Sequence, residues 1–224
     1  MRKNVILLIA VLLPTCAQLA HSQGSFENLN FESATVVLDP TSPYYPHAVI
    51  ASNAIPGWTA YTYGNALTTI LYDSQTLGNA AVALIDANDL GGASPLQGLY
   101  SLGLNGQDPG TGPNQAAAIA QTGQLPSTVE SLRFYAQLGS LQITFNGQLI
   151  PYTAIGSGAD YTIYGCDISA FAGQTGELRF TTLPNTSALI DNIQFSNLPV
   201  PEPSVFAVSA LGALLVGRRV LRRR

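Results

Sequence analysis

The side chains able to do chemistry are few and scattered. Asp191 is the most informative acid. It shares the odd phase of an alternating stretch with Leu189, Ile193 and Phe195, which aims it at an apolar layer. A carboxylate taken out of water is costly unless it is hydrogen-bonded or bound to a cation. It therefore reads either as the partner of a cation or as an acceptor of backbone N–H groups. Asp86-Ala87-Asn88-Asp89-Leu90-Gly91 opens like a calcium loop. Leu90 stands where an EF-hand needs an oxygen ligand and Gln97 where it needs a bidentate glutamate, so this stretch reads as a strand end and a turn. Tyr61 and Tyr63 lie two apart, which on one strand face would make a platform for stacking on a sugar ring. Tyr44 and Tyr45 sit in a proline-rich loop. Trp58, directly after Pro56-Gly57, reads as core. Cys166 reads as a small buried hydrophobe. His47 is the only histidine outside the first 22 residues and lies in that same proline-rich loop, so no cysteine–histidine nucleophile is expected. No Gly-x-Ser-x-Gly element, zinc motif or phosphate loop is present. Glycoside hydrolysis needs two carboxylates at a set separation, and with this many acids the existence of a pair decides nothing.

The elements that must position these groups read as strands. Leu141 to Asn146 alternates apolar and polar residues, the period of a half-buried strand. Asn146-Gly147 is the preferred pair for a tight hairpin, and Leu149 to Tyr152 returns. Ser131 to Ala136 places Leu132, Phe134 and Ala136 on one face, with Arg133 and Tyr135 on the other. Further strands are expected at Leu67–Tyr72, Ala80–Ile85, Leu99–Leu104, Ala117–Gln121, Tyr161–Tyr164, Glu177–Thr182 and Leu189–Ser196. Gln115 to Ala120 is alanine-rich and ambiguous, and Ile168 to Phe171 suits one helical turn before Gly173. Short strands punctuated by Gly, Pro and Asn predict a sandwich or barrel. Two long loops, Asp39 to His47 and Asn105 to Asn114, are where such a fold places binding chemistry.

Charge narrows the partners. The chain has nine Lys plus Arg and thirteen Asp plus Glu. Seven of the cations lie in the two ends, leaving only Arg133 and Arg179 between residues 23 and 199. Twelve acids share that span, for a net charge of about −10. Nucleic acid and anionic lipid surfaces need cationic patches, so neither is an expected partner. The span is long enough for one domain with its own core.

Both ends read as targeting segments. Met1-Arg2-Lys3, the apolar run Val5–Leu13 and the small-x-small site Ala20-His21-Ser22 make a signal peptide over residues 1–22, so Cys16 would leave with it. At the other end, Val200-Pro201-Glu202-Pro203-Ser204 leads into the apolar run Val205–Val216 and a basic cluster, Arg218, Arg219, Arg222, Arg223 and Arg224. A bilayer core takes about 20 apolar residues to span. The run reaches that only with Leu198, Val200 and the arginine stems, or with local thinning. Flanking arginines favour the cytoplasmic side, which puts the body outside.

The ordered triple of Pro201-Glu202-Pro203, apolar run and terminal arginines resembles the PEP-CTERM sorting domain of Gram-negative bacteria that make exopolysaccharide. The resemblance covers residues 200–224. It implies Sec-dependent export, an inner-membrane intermediate, recognition of Pro201, Glu202 and Pro203 by an exosortase, and arrival at the cell surface or matrix. The body, residues 23–199, is similar to galactose-binding-like jelly rolls. The shared features are Asn28-Leu29-Asn30-Phe31-Glu32, Ile55-Pro56-Gly57-Trp58, the stretch Asp167 to Phe180, and Ile190-Asp191-Asn192-Ile193. That resemblance implies a structural calcium shared by Glu32 and Asp191. The expectation is an all-β, jelly-roll-type β-sandwich flanked by a signal peptide and a single C-terminal membrane helix. It would be an exported, non-enzymatic surface or exopolysaccharide-matrix protein. The alternatives are a carbohydrate-binding module using Tyr61 and Tyr63, with or without calcium, and then a glycan-active enzyme.

Overall fold

The computed structural model describes residues 24–75, 77–106 and 116–200. The expected signal peptide, Pro201-Glu202-Pro203 and the five terminal arginines lie outside the described residues, as does most of the Asn105–Asn114 loop. Among the described residues no helix is long and apolar enough to cross a membrane.

Two sheets make a sandwich. The first eight strands are β1 (Ala48–Ile50), β2 (Thr59–Thr62), β3 (Asn65–Ala66), β4 (Thr69–Tyr72), β5 (Ala81–Ile85), β6 (Ser101–Gly106), β7 (Ala117–Gln124) and β8 (Ser131–Leu138). The rest are β9 (Leu141–Phe145), β10 (Gln148–Ile150), β11 (Thr153–Ser157), β12 (Thr162–Asp167), β13 (Thr175–Thr182) and β14 (Thr186–Ser196). The eight-stranded sheet runs β1-β4-β5-β6-β14-β8-β12-β11, and the six-stranded sheet runs β10-β9-β13-β7-β2-β3. All pairings are antiparallel except β4 with β5. The alanine-rich stretch near 117 is strand rather than helix, because its register against β13 buries Ala117 and Ile119 in the core. The only α-helix among the described residues is a single turn, α1 (Ala51–Ala54). A 3-10 turn at Ser169–Phe171 precedes Gly173, whose φ of +72° ends it.

Alternation explains the core. Leu132, Phe134 and Ala136 on β8 and Leu178 and Phe180 on β13 face one another between the sheets, all buried. Phe134 meets Phe180 edge-on at 5.6 Å, the geometry that aromatic quadrupoles favour. Trp58 joins this cluster, edge-on to Phe180 at 6.2 Å. Its indole N–H donates to the Asn28 carbonyl, so its polar group is satisfied while its rings are buried. Each such fully buried aromatic contributes roughly 2–3 kcal/mol by apolar burial.

A second, smaller apolar cluster lies on the outer face of the large sheet. Leu71, Ala81, Ala83, Ile85 and Leu189 are covered there by Ala93 and Leu96 from the long β5–β6 connection. This cluster corrects the expected phase of β14. Ala188 and Ile190 point into the main core, so Leu189 and Asp191 point outward. A bulge between Asp191 and Gln194, with Asn192 at φ +46°, then reverses the alternation and returns Ile193 and Phe195 to the core. Asp191 is buried, but under the covering loop rather than between the sheets.

Candidate functional site

A cleft of about 550 Å³ opens where the β2–β3 hairpin meets β4 and β5. The proline-rich loop walls one side, contributing Asp39 and Tyr44, and the segment from Leu77 into β5 walls the other. The hairpin positions Tyr63. Thr62 pairs with Asn65, leaving a two-residue turn, Tyr63-Gly64, with φ of +53° and +77°. Positive φ at both turn positions matches the twist of the flanking strands but is disfavoured by a bulky side chain. Tyr63 accepts that strain. Its ring lines the cleft, 41% exposed, and its hydroxyl accepts the Ala80 N–H at 3.4 Å. Tyr44, 43% exposed, supplies a second ring, and Leu77 a third apolar contact.

The polar edge of the cleft centres on Asp39. Its Oδ1 accepts the Thr41 N–H at 2.9 Å and the Thr41 hydroxyl at 2.6 Å, and its Oδ2 accepts the Thr69 hydroxyl at 2.8 Å. The Thr41 hydroxyl, then the Thr69 hydroxyl, hold this carboxyl below the ordinary aspartate value, so it is charged at neutral pH. Thr62, Thr68 and Asn79 add further polar lining. Apolar rings beside a few convergent polar groups are the usual make-up of a small-ligand site.

Tyr61 and Tyr63 do not form a shared platform. Strand β2 ends at Thr62, and the left-handed turn sends Tyr63 into the cleft. Tyr61 stays on the outer face of the small sheet, where the Arg179 guanidinium lies 4.3 Å from its ring centre. Arg179 is itself held by Glu177, Nε to Oε1 at 2.9 Å.

Glu32 and Asp191 are brought to one loop. Asp191, 1% exposed, accepts the Gln97 N–H (3.0 Å) and the Ser101 hydroxyl (2.7 Å) on Oδ2, and the Asn192 N–H (2.6 Å) on Oδ1. Glu32 Oε1 accepts the Leu99 and Tyr100 N–H groups at 2.9 and 3.1 Å. Gly98 lies against this carboxylate so closely that a Cβ would run into it. Burial pushes Asp191 up to about 6, against the hydrogen bonds from Ser101, Asn192 and Gln97 and with a further push from the Glu32 charge. Calcium fits this arrangement poorly, because the groups converging on both carboxylates are donors where a cation needs oxygens. Among the described residues no group of three or more His, Cys, Asp or Glu is placed to hold a metal.

A further acid pair was not legible in the sequence. Asp73, at φ +48° and 8% exposed, accepts the Asp86 N–H on Oδ1 at 2.9 Å, and Asp86 Oδ2 accepts the Tyr72 hydroxyl at 2.6 Å. Burial raises the Asp73 carboxyl above its ordinary value. Burial works against the Asp86 charge too, but hydrogen bonds from Tyr72 and Asn88 outweigh it and leave that carboxyl lowered. The pair ties the ends of the parallel strands β4 and β5 together, and neither acid lines the cleft. Cys166 is buried, which pushes its thiol up to about 12. A thiol so rarely ionised is a poor nucleophile.

No family model and no curated protein sequence matches the chain. Solved structures give distant likenesses. TmCBM61 in complex with beta-1,4-galactotriose is 12% identical, with 78% of this chain and 99% of that one covered and a TM-score of 0.39. The arabinose-bound α-L-arabinofuranosidase MgGH51 is 14% identical over 76% of this chain and 27% of that one, with a TM-score of 0.32. The beta-glucosidase from Kluyveromyces marxianus in complex with glucose is 14% identical over 77% and 18%, with a TM-score of 0.30.

Proposed function

We propose that the chain is an exported β-sandwich that binds carbohydrate in the Tyr44–Tyr63 cleft without catalysing a reaction. One observation carries the binding reading. A tyrosine occupies a left-handed turn position that favours Asn or Gly, and its ring is spent on lining a cleft rather than on the core. Strained backbone kept at a concave surface is a pointer to function. A tyrosine face offers a flat apolar surface, and the threonine, serine and asparagine groups around it can meet sugar hydroxyls. Asp39 is the single carboxylate among the described lining residues, and both its oxygens are engaged by threonines. Glycoside hydrolysis would need a second carboxylate beside it.

Export is supported by the sequence of the two ends. In this reading residues 1–22 direct Sec translocation. An exosortase recognises Pro201, Glu202 and Pro203 while Val205–Val216 and the arginines hold the chain in the inner membrane. The body then serves at the cell surface or in the matrix, on a jelly-roll scaffold, with exopolysaccharide as the natural partner.

The test of binding is a glycan array probed with the purified protein and with Tyr63→Ala. Retention of one or more glycans by the parent and about ten-fold weaker retention by the variant is expected, the scale of losing a central aromatic anchor. Equal retention by both would overturn the assignment of the cleft. Intact-mass analysis of the native protein, with and without the exosortase, tests export. Mature material that still carries Arg218 to Arg224 would overturn the sorting reading.

A further inference from the structure

We propose that the cleft selects by charge, accepting uncharged pyranose chains and rejecting chains of uronic acids. This rests on the carbohydrate reading of the cleft and adds the class of sugar it takes. Among the described lining residues Asp39 is the only charged side chain, and no lysine, arginine or histidine stands with it. Recognition of a sugar carboxylate ordinarily uses a guanidinium or ammonium as partner. Between residues 23 and 199 the chain owns two arginines and no lysine. Neither arginine faces the cleft. Arg179 is paired with Glu177 and stacked on Tyr61, and Arg133, on β8, donates from Nε to the Ser131 hydroxyl.

Asp39 is also fixed in place. Three donors from Thr41 and Thr69 hold its carboxylate, so it cannot swing away from an incoming anion. The same donors keep it ionised. The net charge of about −10 on the body repels a polyanion before contact is made. A hydroxymethyl group at the sugar C6 meets none of this opposition. A carboxylate at the same carbon meets a fixed like charge with no cation to offset it.

The test uses matched polymers that differ only in charge. Polygalacturonate, alginate and a glucuronan are each compared with their carboxyl-reduced forms, alongside neutral galactan and glucomannan, by affinity electrophoresis and calorimetry on the purified protein. At low salt the native uronans are expected to bind about five-fold or more weakly than their reduced partners, the scale of one like-charge contact in a partly solvated site. Raising the ionic strength from about 0.01 to about 0.5 M should shrink that gap, since the Debye length falls several-fold. Asp39→Asn should shrink the ratio of reduced-form to native affinity at low salt. Should that variant fail to fold, the salt series decides alone. Native uronans binding as tightly as their reduced forms would overturn charge selection while leaving carbohydrate binding intact. A gap unmoved by both salt and Asp39→Asn would overturn the assignment to Asp39. Binding to no chain, neutral or acidic, would bring down the carbohydrate reading itself and this inference with it.

Discussion

The β9–β10 and β2–β3 hairpins close through turns of nearly the same backbone geometry, and only one uses the residue that geometry favours. Asn146-Gly147 has φ of +49° and +76°, and Tyr63-Gly64 has +53° and +77°. At the first turn, Asn146 also accepts the Glu177 N–H on Oδ1 at 3.0 Å, locking the hairpin to β13. At the second, Tyr63 makes one long hydrogen bond and keeps a large exposed ring in a cleft. Both glycines face open space, so their positive φ alone requires them. The first turn is a structural solution. The second gives up local stability for a side chain that the fold does not need.

Several measurements would break or sharpen this contrast. The largest effect comes from outside both turns and acts as a control. Asp191 has a folded value of about 6 against an ordinary 3.8, so the folded state holds its proton more tightly than the unfolded chain does. The contribution of Asp191 to stability should therefore rise as pH falls from 7 to 4, by about 2 kcal/mol, while glycan binding at pH 7 and at pH 5 stays the same. Urea melts of the parent and of Asp191→Asn across this range check it. The slope should flatten in the variant, and an unchanged slope would show that Asp191 is not its source. Next, Asn146→Tyr should cost about 1–2 kcal/mol, from backbone strain and the lost contact to Glu177, with binding unaffected. The converse change, Tyr63→Asn, should weaken binding about ten-fold yet raise stability by about 0.5 kcal/mol, because Asn tolerates the left-handed region. A Tyr63→Asn protein less stable than the parent would refute the claim of strain. The smallest expected effect is zero: a chelator should leave the melting temperature unmoved, since the groups that meet Glu32 and Asp191 are hydrogen-bond donors.

The sequence made the strands legible where alternation ran long, as in β8 and β9, and where turn chemistry was explicit, as at Asn146-Gly147. It hid β1, β3 and β11, which are two to five residues long. The pairing of β11 is interrupted by a bulge near Gly156, which breaks the pattern that would reveal it. Tyr63 was visible as a candidate, but its partner was misjudged. Spacing by two implies a shared face only while the strand continues, and Gly64 was the signal that it stops. Asp191 was visible as a buried acid, but its phase was not. The bulge at Asn192 reverses the face, and two of the three donors that satisfy the acid are backbone N–H groups with no signature in residue type, the third being the distant Ser101 hydroxyl. Asp39 escaped notice because its threonine partners, at 41 and 69, meet only once the proline-rich loop has folded onto β4. The meeting of Glu32 and Asp191 came through resemblance, since residues so far apart in the chain share no local pattern.

Among the described residues, the strand latest in the chain is not at a rim. β14 lies between β6 and β8, joining the two halves of the larger sheet. A ribosome-bound chain that ends before Thr186 therefore has two bare edges and no bridge between them. Cooperative closure must await the final stretch of the domain, so folding here is a late event that cannot proceed steadily from the N-terminus. A nick or premature stop near Asn185 would remove the keystone rather than trim the border.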